Sequence, residues 1–566
     1  LGEDKVSKNK TGMKKNLTNY GDTGFSIFLR KAFIKGLGYS DDMLDKKIIG
    51  ITNTFSDYNP CHGNVPDLIK SAKAGILANG GIPLEFPTIT IHESFANPTS
   101  MYLRNLMSMD TEEMLRAQPM DACILIGGCD KTVPAQVMGG ISADIPIIQL
   151  VTGPMLTGSF RGERVGACTD CRRFWASYRA EDLNDDDIEE VNNQLVPTVG
   201  TCGVMGTAST MAITTEALGL MVPNSACAPA VSADRKRIAE KTGEISVKIA
   251  NENLNPSKFL NEKSFMNALT VLSAIGGSTN GVVHLTAMAG RLGVNIDLKN
   301  FDKLTQNLPM IVDLKPSGIG YMEDLYKAGG SIRIFDELKD FLHLDAKLVN
   351  GNSIGEEIQK ASKWEQNIIT SKDNPVFKGG SIAVLSGTLA PGCAIIKQSA
   401  ASPDLLVHEG KAVVFENLED LANRVDTEEL DVSKDDILVL KSIGPKGGPG
   451  MPEAGLIPIP KKLARQGVKD MVRISDGRMS GTASGTIVLH VTPESYEKGP
   501  LAIVQNGDQI KLDVPNRKID LLISEEEINK RISLLSDDKI KRRGYNKLYM
   551  NEVTQADEGV DFQFLK

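Results

Sequence analysis

The sequence predicts an α/β protein in two parts: an N-terminal α/β/α domain around a parallel sheet, and a predominantly β, barrel-like C-terminal domain. In the first part, short apolar runs alternate with amphipathic stretches, as in chains whose strands and helices alternate around a parallel sheet. After a loop at residues 372–375 the apolar runs become short and β-branched, which indicates strands. We therefore expect an arm and helix over residues 1–46, the α/β domain over 47–375 and the β-rich domain over 376–566.

Four apolar runs predict the strands of the N-terminal sheet: Ile48–Ile51, Phe86–Ile91, Ala122–Ile126 and Ile145–Val151. Between the first two runs, residues 67–79 predict a helix that ends at Gly80 and Gly81. Farther along, Asp110 is predicted to cap a helix, because Glu113 follows it at the spacing of a capping box.

Six short runs predict strands in the C-terminal part: Ile382–Leu385, Ala412–Phe415, Ile437–Leu440, Met471–Ile474, Thr486–Val491 and Ala502–Val504. The dipeptide Asn506–Gly507 predicts a hairpin turn after the last of them. Helical periodicity returns only near residues 524–536.

Composition excludes several classes of protein. The formal net charge is −9 without a concentrated basic stripe, so we expect no nucleic-acid partner. No run of 18 apolar residues occurs, so we expect no membrane span. Eight cysteines in 566 residues are too few for a disulfide scaffold, which predicts a reducing compartment. The lysine-rich start lacks arginine, which favours a cytoplasmic location over the mitochondrial alternative.

Three loops that follow predicted strands carry side chains suited to metal binding or catalysis. Cys61 follows the first strand, Glu93 follows the second, and the triplet Cys129-Asp130-Lys131 follows the third. Ligands bind beyond the carboxyl ends of the strands in open α/β sheets, so these loops predict a site. Cys202 lies between glycines before a predicted helix, where the helix dipole favours a thiolate. Spacing alone leaves a metal role for the three cysteines open.

The remaining cysteines and glycine-rich loops have plainer interpretations. Cys123, Cys227 and Cys393 are predicted to be core residues, because buried cysteine packs as a small hydrophobe. Cys168 and Cys171 form a single CxxC pair, which indicates a metal or redox site only moderately without a second pair. The glycine-rich segment GPKGGPG suits a flexible turn better than a phosphate cradle, because no Walker A spacing is present.

Six segments, in this order, resemble the signature loops of the iron–sulfur dehydratase family: NPCHGN, GGCDKT, GTCGVMGTASTM, GGSTN, GGPGMPEAG and SDGRMSGTASG. That family comprises dihydroxy-acid dehydratase, 6-phosphogluconate dehydratase and the sugar-acid (aldonate) dehydratases. The resemblance runs from about Gly24 to the C-terminus, and its architecture agrees with the fold predicted above. The segments HESFANPTSMYLRNLMSMDTEEML and FRGERVGACTDCR are most similar to the pentonate (arabinonate or xylonate) branch.

The resemblance implies a role for each member of the site. The implied ligands of a [2Fe–2S] cluster, with [4Fe–4S] as the alternative, are Cys61, Cys129 and Cys202. The implied magnesium site, in which the lysine is carried as a carbamate, consists of Glu93, Asp130, Lys131 and Glu453. Ser480 is the implied catalytic base. Thr482 and His490 are the implied substrate-binding residues and the next candidates for the base.

The resemblance implies dehydration of a C5 or C6 sugar acid to a 2-keto-3-deoxy acid, by a homodimer or homotetramer. One alternative is the dihydroxy-acid dehydratase of branched-chain amino acid biosynthesis. Another is 6-phosphogluconate dehydratase, whose phosphate would need a basic subsite such as Arg164, Arg172 and Arg173. An iron–sulfur redox or sensor protein is the alternative from a different class. Clusters that transfer electrons normally have four protein ligands, and none of the three cysteine loops supplies a fourth.

Overall fold

The computed structural model describes residues 11–536 and 541–566. The strands are β1 Ile48–Asn53, β2 Ile82–Pro87, β3 Ala122–Gly127, β4 Ile147–Val151, β5 Gly158–Phe160, β6 Glu163–Val165, β7 Ala383–Leu385, β8 Cys393–Ile396, β9 Val407–Phe415, β10 Ile437–Leu440, β11 Arg473–Ser475, β12 Ile487–Thr492, β13 Gln509–Asp513 and β14 Lys518–Leu521.

The α-helices of the described residues are α1 Thr23–Lys35, α2 Asp41–Leu44, α3 Val65–Ala78, α4 Arg104–Ala117, α5 Thr132–Ala143, α6 Thr169–Arg179, α7 Asp185–Asn192, α8 Thr207–Leu218, α9 Ala233–Glu252, α10 Glu262–Ala274, α11 Thr279–Arg291, α12 Leu298–Thr305, α13 Met322–Lys327, α14 Gly330–Glu337, α15 Ile354–Ile358, α16 Leu418–Arg424, α17 Lys461–Arg465, α18 Glu525–Ser533 and α19 Gly544–Glu552.

The N-terminal sheet is parallel, in the order β2-β1-β3-β4, which confirms the predicted fold of this part. Every residue of β3 and β4 is buried, because helices cover both faces of the sheet. Helices α3 and α9 cross closely at Gly75, where an added Cβ would lie 2.0 Å from the carbonyl oxygen of Glu240. Only glycine permits this approach.

The C-terminal sheet has eight strands in the order β14-β13-β9-β10-β11-β12-β8-β7. A bridge between Ser386 and Lys518 brings its two edges together, so the sheet is nearly closed and barrel-like, as predicted. Its interior is filled by buried β-branched and aliphatic side chains, among them Val414, Val439 and Ile474. The pairing is mixed, because β9 to β12 run parallel while β7, β8, β13 and β14 are paired antiparallel.

Helices α6 and α7 and the short β5–β6 ribbon form an excursion over residues 158–195 with an apolar cluster of its own. The buried members of that cluster are Phe160, Val165, Phe174 and Val191. Leu183, Ile188 and Leu195 pack against them. The excursion therefore has a small core that is separate from the core around the parallel sheet.

Two predicted elements of the N-terminal part differ from the structure. The strand expected over Phe86–Ile91 lies at Ile82–Pro87 instead, because it pairs with β1 and ends at a proline that cannot donate to the ladder. Asp110 does not cap a helix but lies inside α4. Its carboxylate accepts a hydrogen bond from the backbone of Ile89 at 2.8 Å, so the residue ties the helix to the loop after β2.

Two predictions near residue 505 are also wrong. The run Ala502–Val504 lies in a 3₁₀ turn rather than a strand. Asn506–Gly507 does form a turn, but the strand after it pairs with β9, so the hairpin is β13–β14 instead.

The helix expected near 524–536 is present as α18. Part of the predicted arm over 1–46 lies outside the described residues, and its helix is α1. Among the described residues we find no helix with the length and apolar character needed to span a bilayer.

Candidate active site

One cavity of about 670 Å³ gathers side chains from both sheets. The loops of the N-terminal part contribute Cys61, His92, Glu93, Cys129, Asp130, Cys168, Cys171 and Cys202. The C-terminal part contributes Glu453, Ser480 and Thr482. The structure thus brings together all but two of the site residues that the sequence predicted, and the cavity lies where the two parts of the chain meet.

The parallel sheet explains why the N-terminal loops converge. Cys61 lies in the 3₁₀ turn after β1, Glu93 lies in the turn after β2, and Cys129 follows β3 directly. These three strands are neighbours and point the same way, so their carboxyl ends open at one edge of the sheet. The same edge therefore presents two thiols and a carboxylate.

His62 holds two of these loops together. Its Nε2 accepts hydrogen bonds from the backbone N–H groups of Gly128 at 2.9 Å and Cys129 at 3.0 Å. Nδ1 carries the ring proton, because its partner at 2.9 Å is the carbonyl oxygen of Thr54, which can only accept. Burial lowers the pKa of His62 to about 4, so the ring stays neutral and keeps the lone pair that orients the Cys129 loop.

Cys61, Cys129 and His92 form one group of ligand atoms. Their sulfur and ring nitrogen atoms all lie within 4.8 Å of one another. A hydrogen bond from Cys129, together with His92, lowers the pKa of the Cys61 thiol to about 6. One thiol of the pair is therefore ready to serve as a thiolate ligand at neutral pH.

A second group of thiols lies on the other side of the cavity. The sulfur of Cys202 is 3.4 Å from that of Cys168, the first cysteine of the CxxC pair. The Cys171 thiol donates to the carbonyl oxygen of Cys168 at 2.6 Å. Hydrogen bonds from Cys171 and Cys202 hold the pKa of Cys168 well below its usual value. The CxxC pair, whose role the sequence left open, thus belongs to this cavity.

Three carboxylates, those of Glu93, Asp130 and Glu453, form a separate group of oxygen ligands within 4.8 Å of one another. The buried ammonium of Lys131 lies 2.5 Å from Asp130, 3.7 Å from Glu93 and 3.8 Å from Glu453. Arg478 bonds Glu453 and lies 3.2 Å from Glu93. The carboxylates therefore surround cationic groups, as they would surround a metal ion.

The surroundings shift the pKa values of the two glutamates of this group in opposite directions. Burial opposes ionisation of Glu93, but the charges of Arg478 and Lys131 outweigh it and hold the pKa of Glu93 well below its usual range. Burial raises the pKa of Glu453, and the neighbouring Glu93 and Asp130 charges add to the rise. A divalent cation among these oxygens would favour the ionised form of both.

Ser480 and Thr482 form the C-terminal wall of the cavity. The hydroxyl of Ser480 is 2.8 Å from that of Thr482. The turn that carries them is fixed because the side-chain amide of Asn280 donates to the carbonyl oxygen of Met479 at 2.9 Å. Ser480 is therefore a positioned hydroxyl rather than one on a free turn.

The structure does not bring His490 into the lining of the cavity. The residue lies in β12 with a buried ring, and neither ring nitrogen has a hydrogen-bond partner. Burial and the charge of Arg478 lower its pKa to about 3. A neutral, enclosed imidazole at this place does not contact the cavity, although the resemblance gave it a substrate-binding role.

The glycine-rich segment GPKGGPG cradles an internal carboxylate. The backbone N–H groups of Lys446 and Gly447 donate to the buried side chain of Glu494 at 3.0 and 2.8 Å. An added Cβ at Gly444 would lie 2.6 Å from the same carboxylate. Glu494 thus fixes the segment that leads to Glu453, and it occupies the donors that a phosphate would need.

We expect Glu494→Ala to lower the free energy of unfolding by about 2 kcal/mol or more, because two partly buried N–H donors lose their acceptor and the buried carboxylate leaves a cavity. Urea titrations measure the change. The control is Glu497→Ala, which removes only the exposed ion pair with Lys446 and should change stability by less than about 1 kcal/mol. Similar losses in the two variants would contradict the role of Glu494.

The raised pKa of Glu494 predicts that the stability of the folded protein depends on pH. Burial, with the nearby Asp476 charge, raises its pKa from 4.5 to about 7. The folded state therefore keeps this proton over an interval in which the unfolded chain releases it, and wild-type stability should fall as pH rises from about 4.5 to about 7. Glu494→Gln, which cannot titrate, should show a flatter profile over that interval.

Comparison with known proteins identifies the family. Residues 46–357 match the description "Dihydroxy-acid/6-phosphogluconate dehydratase N-terminal", and residues 367–560 match its C-terminal counterpart. The chain belongs to the dihydroxy-acid/6-phosphogluconate dehydratase family. It is therefore a dehydratase, a hydro-lyase, of a family whose members depend on iron–sulfur or other metal centres.

Relatives of this dehydratase match it over nearly their whole length. The chain is 43% identical to L-arabinonate dehydratase of Rhizobium leguminosarum bv. trifolii, covering 97% of this chain and 95% of the relative. It is 39% identical to 6-deoxy-6-sulfo-D-gluconate dehydratase of Pseudomonas putida, covering 93% and 92%. It is 36% identical to dihydroxy-acid dehydratase of Carboxydothermus hydrogenoformans, covering 95% and 98%.

The donor atoms of the dehydratase fit two kinds of metal centre. Sulfur and imidazole ligands suit iron–sulfur clusters and other soft metals, and they line one region of the cavity. Carboxylate oxygens suit Mg²⁺, and they form the other region. The two ligand sets meet where Asp130 follows Cys129, whose sulfur is 3.6 Å from the aspartate oxygen.

Sequence analysis gave no role to His92 or Arg478, and it left the role of Cys168 in the CxxC pair open. His92 directly precedes Glu93, and Arg478 lies two residues before Ser480, so both had a signal in the segments already recognised. Of the three arginines considered for a phosphate subsite, only Arg172 lines the cavity. Arg164 pairs with Asp324, and Arg173 pairs with Asp170 and Glu163. The structure does not form the three-arginine subsite.

Proposed function

We propose that this dehydratase converts a sugar acid of five or six carbons to a 2-keto-3-deoxy acid. One observation carries the proposal: a thiol group, a carboxylate group and the Ser480 hydroxyl share one cavity. The relatives named for L-arabinonate and sulfogluconate dehydration support a sugar acid as the substrate. The relative named dihydroxy-acid dehydratase is less similar, so the branched-chain alternative has less support.

The lining of the outer cavity suits a chain of hydroxyl groups. Arg172, Glu189 and Asn192 add polar side chains to a lining that also includes the apolar Trp175, Ile188 and Leu195. The guanidinium Nε of Arg172 lies 3.5 Å from the hydroxyl of Thr482, so it is placed near the wall that holds Ser480. These groups can hydrogen-bond the distal hydroxyls of a sugar acid, which a wholly apolar pocket could not do.

The thiols of Cys61, Cys129 and Cys202 would hold the iron–sulfur cluster, proposed as [2Fe–2S], and Glu93, Asp130 and Glu453 would hold Mg²⁺. When bound, these groups supply Lewis acidity toward the leaving hydroxyl and toward the substrate carboxylate. The side chain of Lys131 lies among the oxygen ligands. As a carbamate, it would replace the positive charge there with an anionic oxygen donor.

The protein's own residues position and move the proton. Ser480, hydrogen-bonded to Thr482, would accept the proton from Cα of the substrate as an alkoxide, since bound Mg²⁺ would lower the pKa of a nearby hydroxyl and release its proton to solvent. Arg478, which bonds both metal-site glutamates, would keep their carboxylates in place. Lys131 and Arg478 are buried beside these carboxylates, and burial strengthens interactions between charges. We also propose a cytoplasmic, homo-oligomeric enzyme, as the resemblance implies.

The test is a panel of four- to six-carbon aldonates incubated with anaerobically reconstituted enzyme. We expect 2-keto-3-deoxy acid formation from a five- or six-carbon aldonate. The controls are 2,3-dihydroxy-3-methylbutanoate and 6-phosphogluconate, which represent the two alternatives within the family. Faster turnover of either control than of any aldonate would refute the sugar-acid assignment.

Glu453→Gln should separate the two metal sites. We expect the variant to keep its iron while its turnover falls about 10–100-fold and recovers only at raised Mg²⁺, because only the oxygen ligands are changed. Iron analysis and an Mg²⁺ titration of the rate measure this. Loss of iron from the variant would show that the two sites depend on each other.

A carbamate on Lys131 predicts a separate effect. Removal of CO₂ during preparation should lower activity, and added bicarbonate should restore it.

A further inference from the structure

Two turns from opposite parts of the chain deliver the two glutamates of the carboxylate group. The first is the 3₁₀ turn Ser100–Leu103, in which the backbone N–H of Ser100 donates to the carboxylate of Glu93 at 3.2 Å. The second is the turn that ends at Gly450, three residues before Glu453. Because like charges repel one another, a cation site built from both carboxylates needs these two turns to be held together.

The two turns touch each other outside the lining of the cavity. Gly450 lies against the backbone of Tyr102, where an added Cβ would overlap the backbone nitrogen. Met101 in the first turn and Met451 beside the second belong to one buried apolar cluster. This contact therefore sets the distance between the segments that carry the two glutamates.

Tyr549 of helix α19 lies at the junction of the two turns. Its side chain is fully buried, and its hydroxyl accepts a hydrogen bond from the backbone N–H of Gly450 at 3.0 Å. Its ring contacts the ring of Tyr102, with the two centroids 4.9 Å apart. One side chain thus bonds the turn before Glu453 and packs on the turn that holds Glu93.

We propose that Tyr549 is a positioning residue for the divalent-cation site and holds together the two turns that deliver Glu93 and Glu453. The inference rests on the magnesium site of the proposed function and deepens it. Tyr549 does not line the cavity, so it acts through the turns and not on the substrate. Because such coupling is reciprocal, a bound cation should in return stabilise the docking of α19.

The rest of the C-terminal segment is tied to the same two regions. The guanidinium of Arg104, directly after the first turn, donates to the carbonyl oxygen of Val560 at 2.8 Å. The side-chain amide of Gln555 donates at 2.9 Å to Glu494, which holds the glycine-rich segment GPKGGPG. The segment therefore supports both turns, and Tyr549 is its residue at their junction.

The first measurement is binding of Mn²⁺, a paramagnetic substitute for Mg²⁺, to the iron-loaded enzyme without substrate. Electron paramagnetic resonance of free Mn²⁺ gives the affinity. Tyr549→Phe keeps the ring but leaves the buried N–H of Gly450 without its acceptor. We expect the variant to bind Mn²⁺ about ten-fold more weakly, as when outer partners of metal ligands are removed, and to keep its iron.

Tyr321→Phe is the matched control. Tyr321 is also buried, and its hydroxyl donates to Asp170 at 2.9 Å, but it does not line the cavity. This variant should also lose stability but keep its Mn²⁺ affinity within about two-fold, since distant sites act independently. If Tyr549→Phe likewise lowered the melting temperature without changing Mn²⁺ affinity, Tyr549 would be merely structural and the proposal would be overturned.

Hydrogen exchange provides a second test on the wild-type chain, so it stands even if a variant fails to fold. Added Mg²⁺ should slow amide exchange in α19 several-fold and leave exchange in α18 unchanged, because only α19 is coupled to the two turns. Unchanged exchange in α19 despite Mn²⁺ binding would overturn the proposal alone. A wild-type enzyme that bound no divalent cation would overturn the magnesium site of the proposed function as well, so the two failures are distinguishable.

Discussion

Replacement of Cys61, Cys129 or Cys202 with serine is expected to abolish both the visible absorbance of the cluster and dehydratase activity. Each thiol lies in a loop that opens into the same cavity, so each can reach a bound metal centre. A serine hydroxyl is a harder and far less acidic ligand than a thiol, and it does not replace a thiolate on iron at neutral pH. Absorbance spectra with iron and sulfide analysis after anaerobic reconstitution measure the loss.

Cys123→Ser and Cys227→Ser are the matched controls. Both cysteines are buried outside the cavity, and burial raises their thiol pKa values, so neither supplies a thiolate. These variants should keep the cluster and lose at most about 1–3 kcal/mol of stability from a buried hydroxyl. A full-strength cluster in any of the three cavity variants would mean that its thiol is not a ligand.

Ser480→Ala should lower turnover by about 10²–10⁴-fold, the usual contribution of a positioned general base. Substrate binding should survive, because the metal ligands and Arg172 are unchanged. The direct measurement is exchange of the substrate Cα hydrogen with deuterated solvent. Wild-type enzyme should catalyse this exchange, and the variant should not.

Ser475→Ala, five residues earlier, tests whether any serine of this segment has the same effect. The hydroxyl of Ser475 only accepts a hydrogen bond from the backbone of Gly477 at 3.0 Å. This variant should be less stable but should retain exchange. If exchange persisted in Ser480→Ala at the wild-type rate, the base would lie elsewhere. Thr482 would then be the next candidate, since His490 does not line the cavity.

The sequence predicted the parts of the fold that depend on local pattern. Strands β1, β3 and β10 lie where the apolar runs predicted them, because each is buried on both faces and the run that predicted it contains no polar residue. The position of Asp110 could not be predicted in this way. Its spacing to Glu113 suits a helix start, but its partner Ile89 is distant in sequence and becomes a neighbour only after folding.

The site shows the same division between local and long-range information. The order of the loops predicted that Cys61, Glu93 and Cys129 converge, since they follow neighbouring strands of one parallel sheet. The contact between Cys168 and Cys202 could not be predicted, because their loops follow no common strand edge. For His490, proximity in sequence wrongly predicted proximity in space. It lies near Ser480 in sequence, but β12 carries its ring into the interior.

The excursion formed by α6 and α7 supplies part of the wall of the outer cavity but none of the proposed iron or magnesium ligands and not the proposed base. Its residues Trp175, Ile188 and Leu195 border the outer cavity, whereas the carboxylates and Ser480 come from other elements. Because the excursion has its own apolar cluster, substitutions there need not disturb the main core. Substitutions in this excursion would therefore change which substrates fit the cavity while the reaction itself stays the same.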